Sequence, residues 1–163
     1  MAISTERTVR DVIVAAIKEI AADLGFSDPE GNVWDYPLIG HQKEQTSTYL
    51  MARVGNGRIA RAWAVDVGGY DELFAMRQKP KRNYSISIIG YYAKGNGGVA
   101  YNTMKDHARL IRGAINRISP SLSGTVTELT SASPISISER DSEAGPLLEG
   151  VMTYGAVRTN PDF

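Results

Sequence analysis

The sequence predicts an α+β fold in which a mostly antiparallel sheet of about five strands is flanked by two helices. Two segments carry apolar residues at three- and four-residue steps, which is typical of amphipathic helices. Most of the remaining apolar residues alternate with polar ones between turn-rich connections, which favours antiparallel strands. The 163 residues and the absence of cysteine fit a single domain, residues 1–163, whose core forms without disulfides.

The first helix is predicted over about residues 5–24. Ser4 and Thr5 are candidate N-caps, and Gly25 is a candidate stop because glycine readily takes the left-handed backbone conformation. Residues 25–43 are predicted as a loop that contains enough large apolar side chains for part of it to pack onto the domain. The apolar face of the helix is formed by Val9, Val12, Ile13, Ala16, Ile17, Ile20 and Leu24.

Three strands are predicted next, at Thr46–Val54, Arg58–Val67 and Asn83–Ala93. The first two are joined by Gly55-Asn56-Gly57, a strong signal for a tight hairpin. The second and third are separated by Gly68–Arg82, which is longer than a hairpin needs. This segment is predicted to be a projecting arm, or a short helix followed by a loop.

The second helix is predicted over about residues 99–118, after a glycine-rich connector and before Pro120. Two closing strands, Thr125–Ser138 and Leu147–Thr159, complete the order α-β-β-β-α-β-β, with a short tail at residues 159–163. Both helices are expected on one face of the sheet, which leaves the other face partly exposed to solvent.

The composition argues against several functional classes. Eighteen basic and eighteen acidic residues give a net charge of zero, whereas dedicated nucleic-acid binders usually carry a basic excess. The apolar stretches are too short and too often interrupted by charge to cross a membrane. The polar N-terminus has no signal-peptide pattern, so a cytosolic product is expected.

No catalytic, metal or cofactor site is predicted. His41 lies in a loop without an evident serine or acid partner, and a hydrolase built on it is the least favoured interpretation. His107 lies beside the apolar stripe of the second helix, where a structural role is expected. The glycines before that helix lack the spacing of a phosphate-binding loop, so we interpret them as a flexible connector.

A basic cluster is the most prominent candidate for binding. Its members lie near Tyr70, Phe74 and Met76, and this mixture is typical of protein interfaces. A small module that binds single-stranded nucleic acid through Lys79, Lys81, Arg82 and Tyr91 or Tyr92 is the alternative, and a solvated loop is the third interpretation. The cluster consists of Arg77, Lys79, Lys81, Arg82 and Lys94.

The aromatic residues exceed what a core of this size should hold. We therefore expect some of them on the surface, where a patch of exposed rings usually marks an interface. The alternative is that each tyrosine packs with only its hydroxyl in water. The residues concerned are Trp34, Tyr36, Trp63, Tyr70, Tyr91, Tyr92, Tyr101 and Tyr154.

In size and element order, the chain resembles the tail terminator (tail completion) proteins of long-tailed bacteriophages. The resemblance consists of the amphipathic helix Arg7–Leu24, the arm Gly68–Arg82, the tyrosine-rich strand Tyr84–Tyr92, the helix Tyr101–Ile118 and the closing pair of strands. Segment 37–45 has no counterpart in that layout.

The resemblance implies a homo-hexameric ring that caps the tail tube and joins it to the head–tail connector, with the sheath as a further neighbour. It implies a virion location, assembly in the host cytoplasm, and neither catalysis nor a cofactor. Nucleic acid would only pass through the ring lumen. A ring needs two different surfaces on each subunit, and the basic arm could face acidic loops on a neighbour. The candidate interface comprises Tyr70, Asp71, Phe74, Arg77, Lys79, Lys81, Arg82, Lys94, Glu139, Arg140 and Asp141.

Overall fold

The computed structural model describes residues 5–26, 29–37, 61–72, 81–93, 98–140 and 147–159. Within these ranges, one sheet of six strands packs against helices, which confirms the predicted α+β class. The predicted strand Thr46–Val54 and its hairpin turn lie outside the described residues. The elements are α1 (Glu6–Glu19), α2 (Pro29–Asn32), β1 (Val33–Trp34), β2 (Arg61–Glu72), β3 (Lys81–Ala93), α3 (Val99–Ile118), β4 (Glu128–Ala132), β5 (Ser136–Arg140) and β6 (Leu147–Thr159).

Strand β3 lies at the centre of the sheet, whose order is β1-β2-β3-β6-β4, with β5 also paired to β6. Every residue of β3 faces a partner on β6, from Lys81 opposite Thr159 to Ala93 opposite Leu147. On its other side, β3 pairs antiparallel with all of β2. The exception to antiparallel pairing is β1, which runs parallel to β2 at two positions.

Helix α1 begins where the sequence predicts. The Thr5 side chain accepts a hydrogen bond from the Thr8 backbone N–H at 3.2 Å, and so caps the first turn. The α-helix ends at Glu19, five residues earlier than predicted, because the Ile20 N–H bonds to the Ile17 carbonyl three residues back. The chain continues in turns to Gly25, which has the expected positive φ of 76°.

Helices α1 and α3 lie on one face of the sheet, as predicted, and enclose the main core there. Strand residues reach this core at every second position, as the pleat requires. The largest side chains without solvent exposure in the core are Trp63, Tyr92, Ile13, Ile17, Leu24, Ile86, Ile88, Met104, Ile111, Ile115 and Leu122.

The opposite face of the sheet is divided into two halves. At one end, a small buried cluster forms around Trp34, whose ring lies 5.9 Å from that of Tyr91. At the other end, Asp66, Ser85 and Thr153 are exposed to solvent. The prediction of a partly exposed second face is therefore confirmed.

The structure corrects three predicted boundaries. The predicted arm Gly68–Arg82 begins later, because Gly68–Glu72 continues β2 and Lys81 and Arg82 already belong to β3. The predicted strand Thr125–Ser138 is two short strands, since Pro134 between them has no N–H for the ladder. The predicted loop at residues 25–43 contains α2 and β1, and the buried Val33 and Trp34 confirm that part of it packs down.

Two neighbouring glycines make room for the core. Gly90 of β3 lies directly opposite Gly150 of β6. A Cβ added to Gly90 would lie 2.9 Å from the Trp63 indole, and one on Gly150 would lie 2.5 Å from the Met104 sulfur. The indole and the thioether therefore lie almost against the backbone of the two central strands.

We expect Gly90→Ala to lower the free energy of unfolding by about 1–3 kcal/mol, because the new methyl group overpacks the Trp63 ring. Gly68→Ala is the matched control, since it lies in a neighbouring strand with nothing within 4 Å of the added carbon. Its effect should stay within about 0.5 kcal/mol. Chemical denaturation of both variants measures the difference, and equal destabilisation would contradict this account of the packing.

Candidate functional site

The open half of the sheet is a flat surface of small and hydroxyl-bearing side chains. One cross-strand row contains Gly68, Ser85, Gly155 and Ser131, and the next continues from Ser87 through Thr153. The Ser133 and Thr153 hydroxyls are 2.8 Å apart, so a hydrogen bond joins the strands at its outer side. This surface extends from β2 to β4.

Tyr70 borders the open surface. Its side chain is 62% exposed, although the same strand is buried nearer its start, at Trp63–Val65. It forms one wall of a depression of about 320 Å³ that Asn83 and Thr153 also line. Asn83 contributes a buried amide nitrogen that has no hydrogen-bond partner within the described part of the chain.

An ion pair lies on the opposite side of the same strand end. Arg82 Nε is 2.6 Å from Asp71 Oδ1, and this hydrogen bond raises the pKa of Arg82, against a smaller opposing effect of burial. The side chains of β2 alternate, so Asp71 lies on the helix face while Tyr70 lies on the open face. Lys81, which is exposed, shares the open face with Tyr70 by the same alternation.

The predicted interface residues are thus partly brought together and partly separated. Tyr70, Asp71, Lys81 and Arg82 meet at one end of the sheet. Glu139, in contrast, lies on β5 opposite Leu148, at the other end. Since Leu148 faces Tyr92, ten residues from Arg82 along β3, roughly 33 Å separates the two groups. Arg140 follows Glu139 in β5, while Phe74, Arg77, Lys79, Lys94 and Asp141 lie outside the described residues.

The structure rules out one predicted use of the tyrosines. Tyr91 is 2% exposed and Tyr92 is fully buried, so neither can provide a stacking platform for nucleic-acid bases. Lys81 and Arg82, two basic residues of the same predicted site, lie ten residues earlier in β3, at the opposite end of the strand. The stacking role that the alternative gave to Tyr91 or Tyr92, beside Lys79, Lys81 and Arg82, is therefore wrong.

Some of the aromatic rings are exposed, as expected, but the exposed ones do not form one patch. Five of the eight rings are buried, and the three exposed ones lie on separate elements. Tyr36 follows β1, Tyr70 lies near the end of β2, and Tyr101 is in the first turn of α3. Tyr70 alone of these three lies at the sheet end that carries the predicted basic arm.

A cleft of about 520 Å³ lies between α1 and β1. Its floor includes Val14 and Trp34, and its rim carries exposed carboxylates. The Lys18 ammonium pairs with Glu30 at 2.9 Å across one side of the cleft. Each carboxylate at the rim therefore has a basic neighbour within reach, and the cleft has no strong net charge.

Sequence reasoning missed a polar chain inside the main core. Trp63 Nε1 donates to the Tyr92 hydroxyl at 2.7 Å, and that hydroxyl lies 2.5 Å from His107 Nδ1. The predicted structural role of His107 fits this placement. Burial raises the pKa of Tyr92, whereas burial, followed by the charge of Arg61, lowers the pKa of His107. The sequence feature that could have indicated this polar chain is the alternation along the strands, which puts Trp63 and Tyr92 on the helix face.

Residues 5–26, 29–37, 61–72, 81–93, 98–140 and 147–159 contain no group of three or more acidic or histidine side chains that could hold a metal ion. In the same ranges, no helix is long and apolar enough to span a membrane.

No protein-family model matches the chain, and no curated protein matches its sequence.

We expect Arg82→Gln to lower the free energy of unfolding by less than about 1 kcal/mol, because its ion pair with Asp71 lies near the surface. Most of this loss should disappear in high salt, which screens the wild-type pair. Lys81→Gln, the control at the adjacent exposed position, should show almost no change. Denaturation at low and high salt tests this, and a loss above about 2 kcal/mol would indicate a core role for Arg82.

Proposed function

We propose that this chain is a non-enzymatic structural protein of a virion, similar to phage tail terminators. Copies of it would form a ring, expected to contain about six subunits, that caps the tail tube and joins it to the head–tail connector. Its partners would be its own copies, the tube, the connector and, where the tail has one, the sheath. It would need no cofactor.

The observation that carries this proposal is the separation of two unlike surfaces on one rigid sheet. One end presents Tyr70 and Lys81 and leads into the basic segment that contains Arg77 and Lys79. The other end presents Glu139, roughly 33 Å away along the strands. Lys81 and Glu139 are too far apart to pair with each other within one subunit, but the two ends of the sheet could meet head to tail between neighbours, which is the contact that closes a ring.

The strand edges give further support. β1 pairs with β2 at Trp63 and Ala64, and no other described strand lies on that outer edge of β2. At the other side of the sheet, β4 has β6 as its described partner. Free backbone donors and acceptors on an edge can pair with a strand of another subunit, and the two edges here differ in length and sequence.

The first test is the mass of the purified protein by light scattering or sedimentation. We expect a species of about six subunits, and Tyr70→Ser should shift it toward the monomer because an exposed ring is lost from the contact. Tyr101→Ser, which removes an exposed ring from α3, is the matched control and should leave the mass unchanged.

Charge exchange tests the head-to-tail contact itself. The Arg77→Glu/Lys79→Glu variant and the Glu139→Lys/Asp141→Lys variant should each stay monomeric, because each one puts like charges on both contact surfaces. A mixture of the two should form alternating rings, since the reversed arm of one variant then faces the reversed loop of the other. The charge pairing is refuted if both variants assemble alone.

A wild-type protein that remains monomeric and binds single strands with steep salt dependence would instead support the nucleic-acid module.

A further inference from the structure

A hydrogen-bonded chain of three side chains crosses the core between the sheet and α3. Trp63 comes from β2, Tyr92 from β3 and His107 from α3, so the chain joins all three elements. Each pair of rings also meets edge to face, with centroids 5.8 Å apart for Trp63–Tyr92 and 5.7 Å apart for Tyr92–His107. Trp63 and Tyr92 have no solvent exposure, and His107 is half-buried.

The chemistry of the donors determines how the protons are arranged. The Trp63 indole N–H can only donate, so the Tyr92 oxygen accepts from it. Among the described residues, the acceptor within reach of the Tyr92 hydrogen is the lone pair on Nδ1 of His107. The indole N–H and the Tyr92 hydroxyl are both satisfied only when His107 is neutral and carries its proton on Nε2.

Protonation of Nδ1 would break this arrangement. Two N–H groups would then point at one hydroxyl oxygen, and the hydroxyl hydrogen would be left without an acceptor in an apolar core. The new positive charge would also lie near Arg61 of β2, whose guanidinium is 5.3 Å from the centroid of the Tyr92 ring. Asp106 of α3 favours the charge, but it is mostly exposed and lies 3.9 Å from Arg109.

The position of His107 in α3 makes the helix sensitive to this change. Met104, Ala108 and Ile111 surround it on the helix, and all three are buried against the sheet. Met104 lies against the backbone at Gly150, so a small displacement of the helix opens a gap in a tightly packed region. Repulsion at His107 therefore acts directly on the contact between α3 and β6.

We propose that the Trp63–Tyr92–His107 chain is an acid-sensitive latch, which holds α3 firmly on the sheet only while His107 is neutral. The latch does not depend on the proposed assembly function, because all its members lie within one subunit. Burial and Arg61 lower the pKa of His107 in the folded protein below its ordinary value of 6.5. The latch thus contributes its full stability above pH 6.5 and loses it progressively as the pH falls toward the folded-state pKa.

The first experiment titrates the two histidines of the intact protein by NMR. His41→Gln removes the other imidazole, so that the remaining signal belongs to His107. We expect that signal to show a neutral ring with the proton on Nε2 and to titrate below pH 6.5. A proton on Nδ1 of the neutral ring, or titration at the ordinary value, would overturn the proposal.

The second experiment measures unfolding by denaturant between pH 7.5 and pH 5. Below pH 6.5, the unfolding equilibrium constant of the wild type and of His41→Gln should rise by up to about tenfold per pH unit more than that of His107→Gln. The glutamine can still accept a hydrogen bond but cannot titrate. Tyr92→Phe, which removes the central hydroxyl, should show a reduced slope as well. Identical slopes in the wild type and His107→Gln would refute the latch even if both proteins remain folded.

Discussion

The close approach of Trp63 to the backbone of Gly90 is the contact on which the rest of this fold depends. A tryptophan at this depth fills the space between β2, β3 and α3, and only a glycine beneath it leaves that space. Its indole N–H must also find an acceptor, because it is fully buried. Tyr92 supplies that acceptor, and its own hydrogen in turn requires His107. One large apolar side chain thus dictates the polar chain that ties α3 to the sheet.

The length of the central strands explains where the exposed surface lies. β2, β3 and β6 have 12, 13 and 13 residues, or roughly 40 Å each. The buried cluster around Trp34 covers only one end of the face opposite the helices. The strands therefore carry well-ordered backbone pairing into a region where side chains such as Tyr70 and Ser85 meet solvent. A rigid exposed sheet end suits recognition, because little conformational entropy is lost when it binds.

Periodicity predicted the elements whose signal is local. Thr5, Gly25 and the apolar stripe of α3 each act through neighbours within four residues, so the helices and their common face were predictable. Gly68 and Gly69 were predicted to start an arm, whereas pairing with Tyr84 and Ser85 keeps them in a strand. That outcome depends on a partner strand distant in sequence. The same limit applies to the candidate interface. Tyr70 and Glu139 could be chosen from the sequence, but the distance between them depends on how the strands pair.

The proposed latch and Glu139 share one cross-strand row. Arg61, Tyr92, Leu148 and Glu139 lie side by side across β2, β3, β6 and β5. Glu139 is two strands from Tyr92, or roughly 10 Å, while Tyr70 is at the far end of the sheet. A displacement of α3 that follows protonation of His107 would therefore disturb the surface around Glu139 before it reaches Tyr70. If the proposed ring forms, its contact surface around Glu139 would respond to acid before the one around Tyr70.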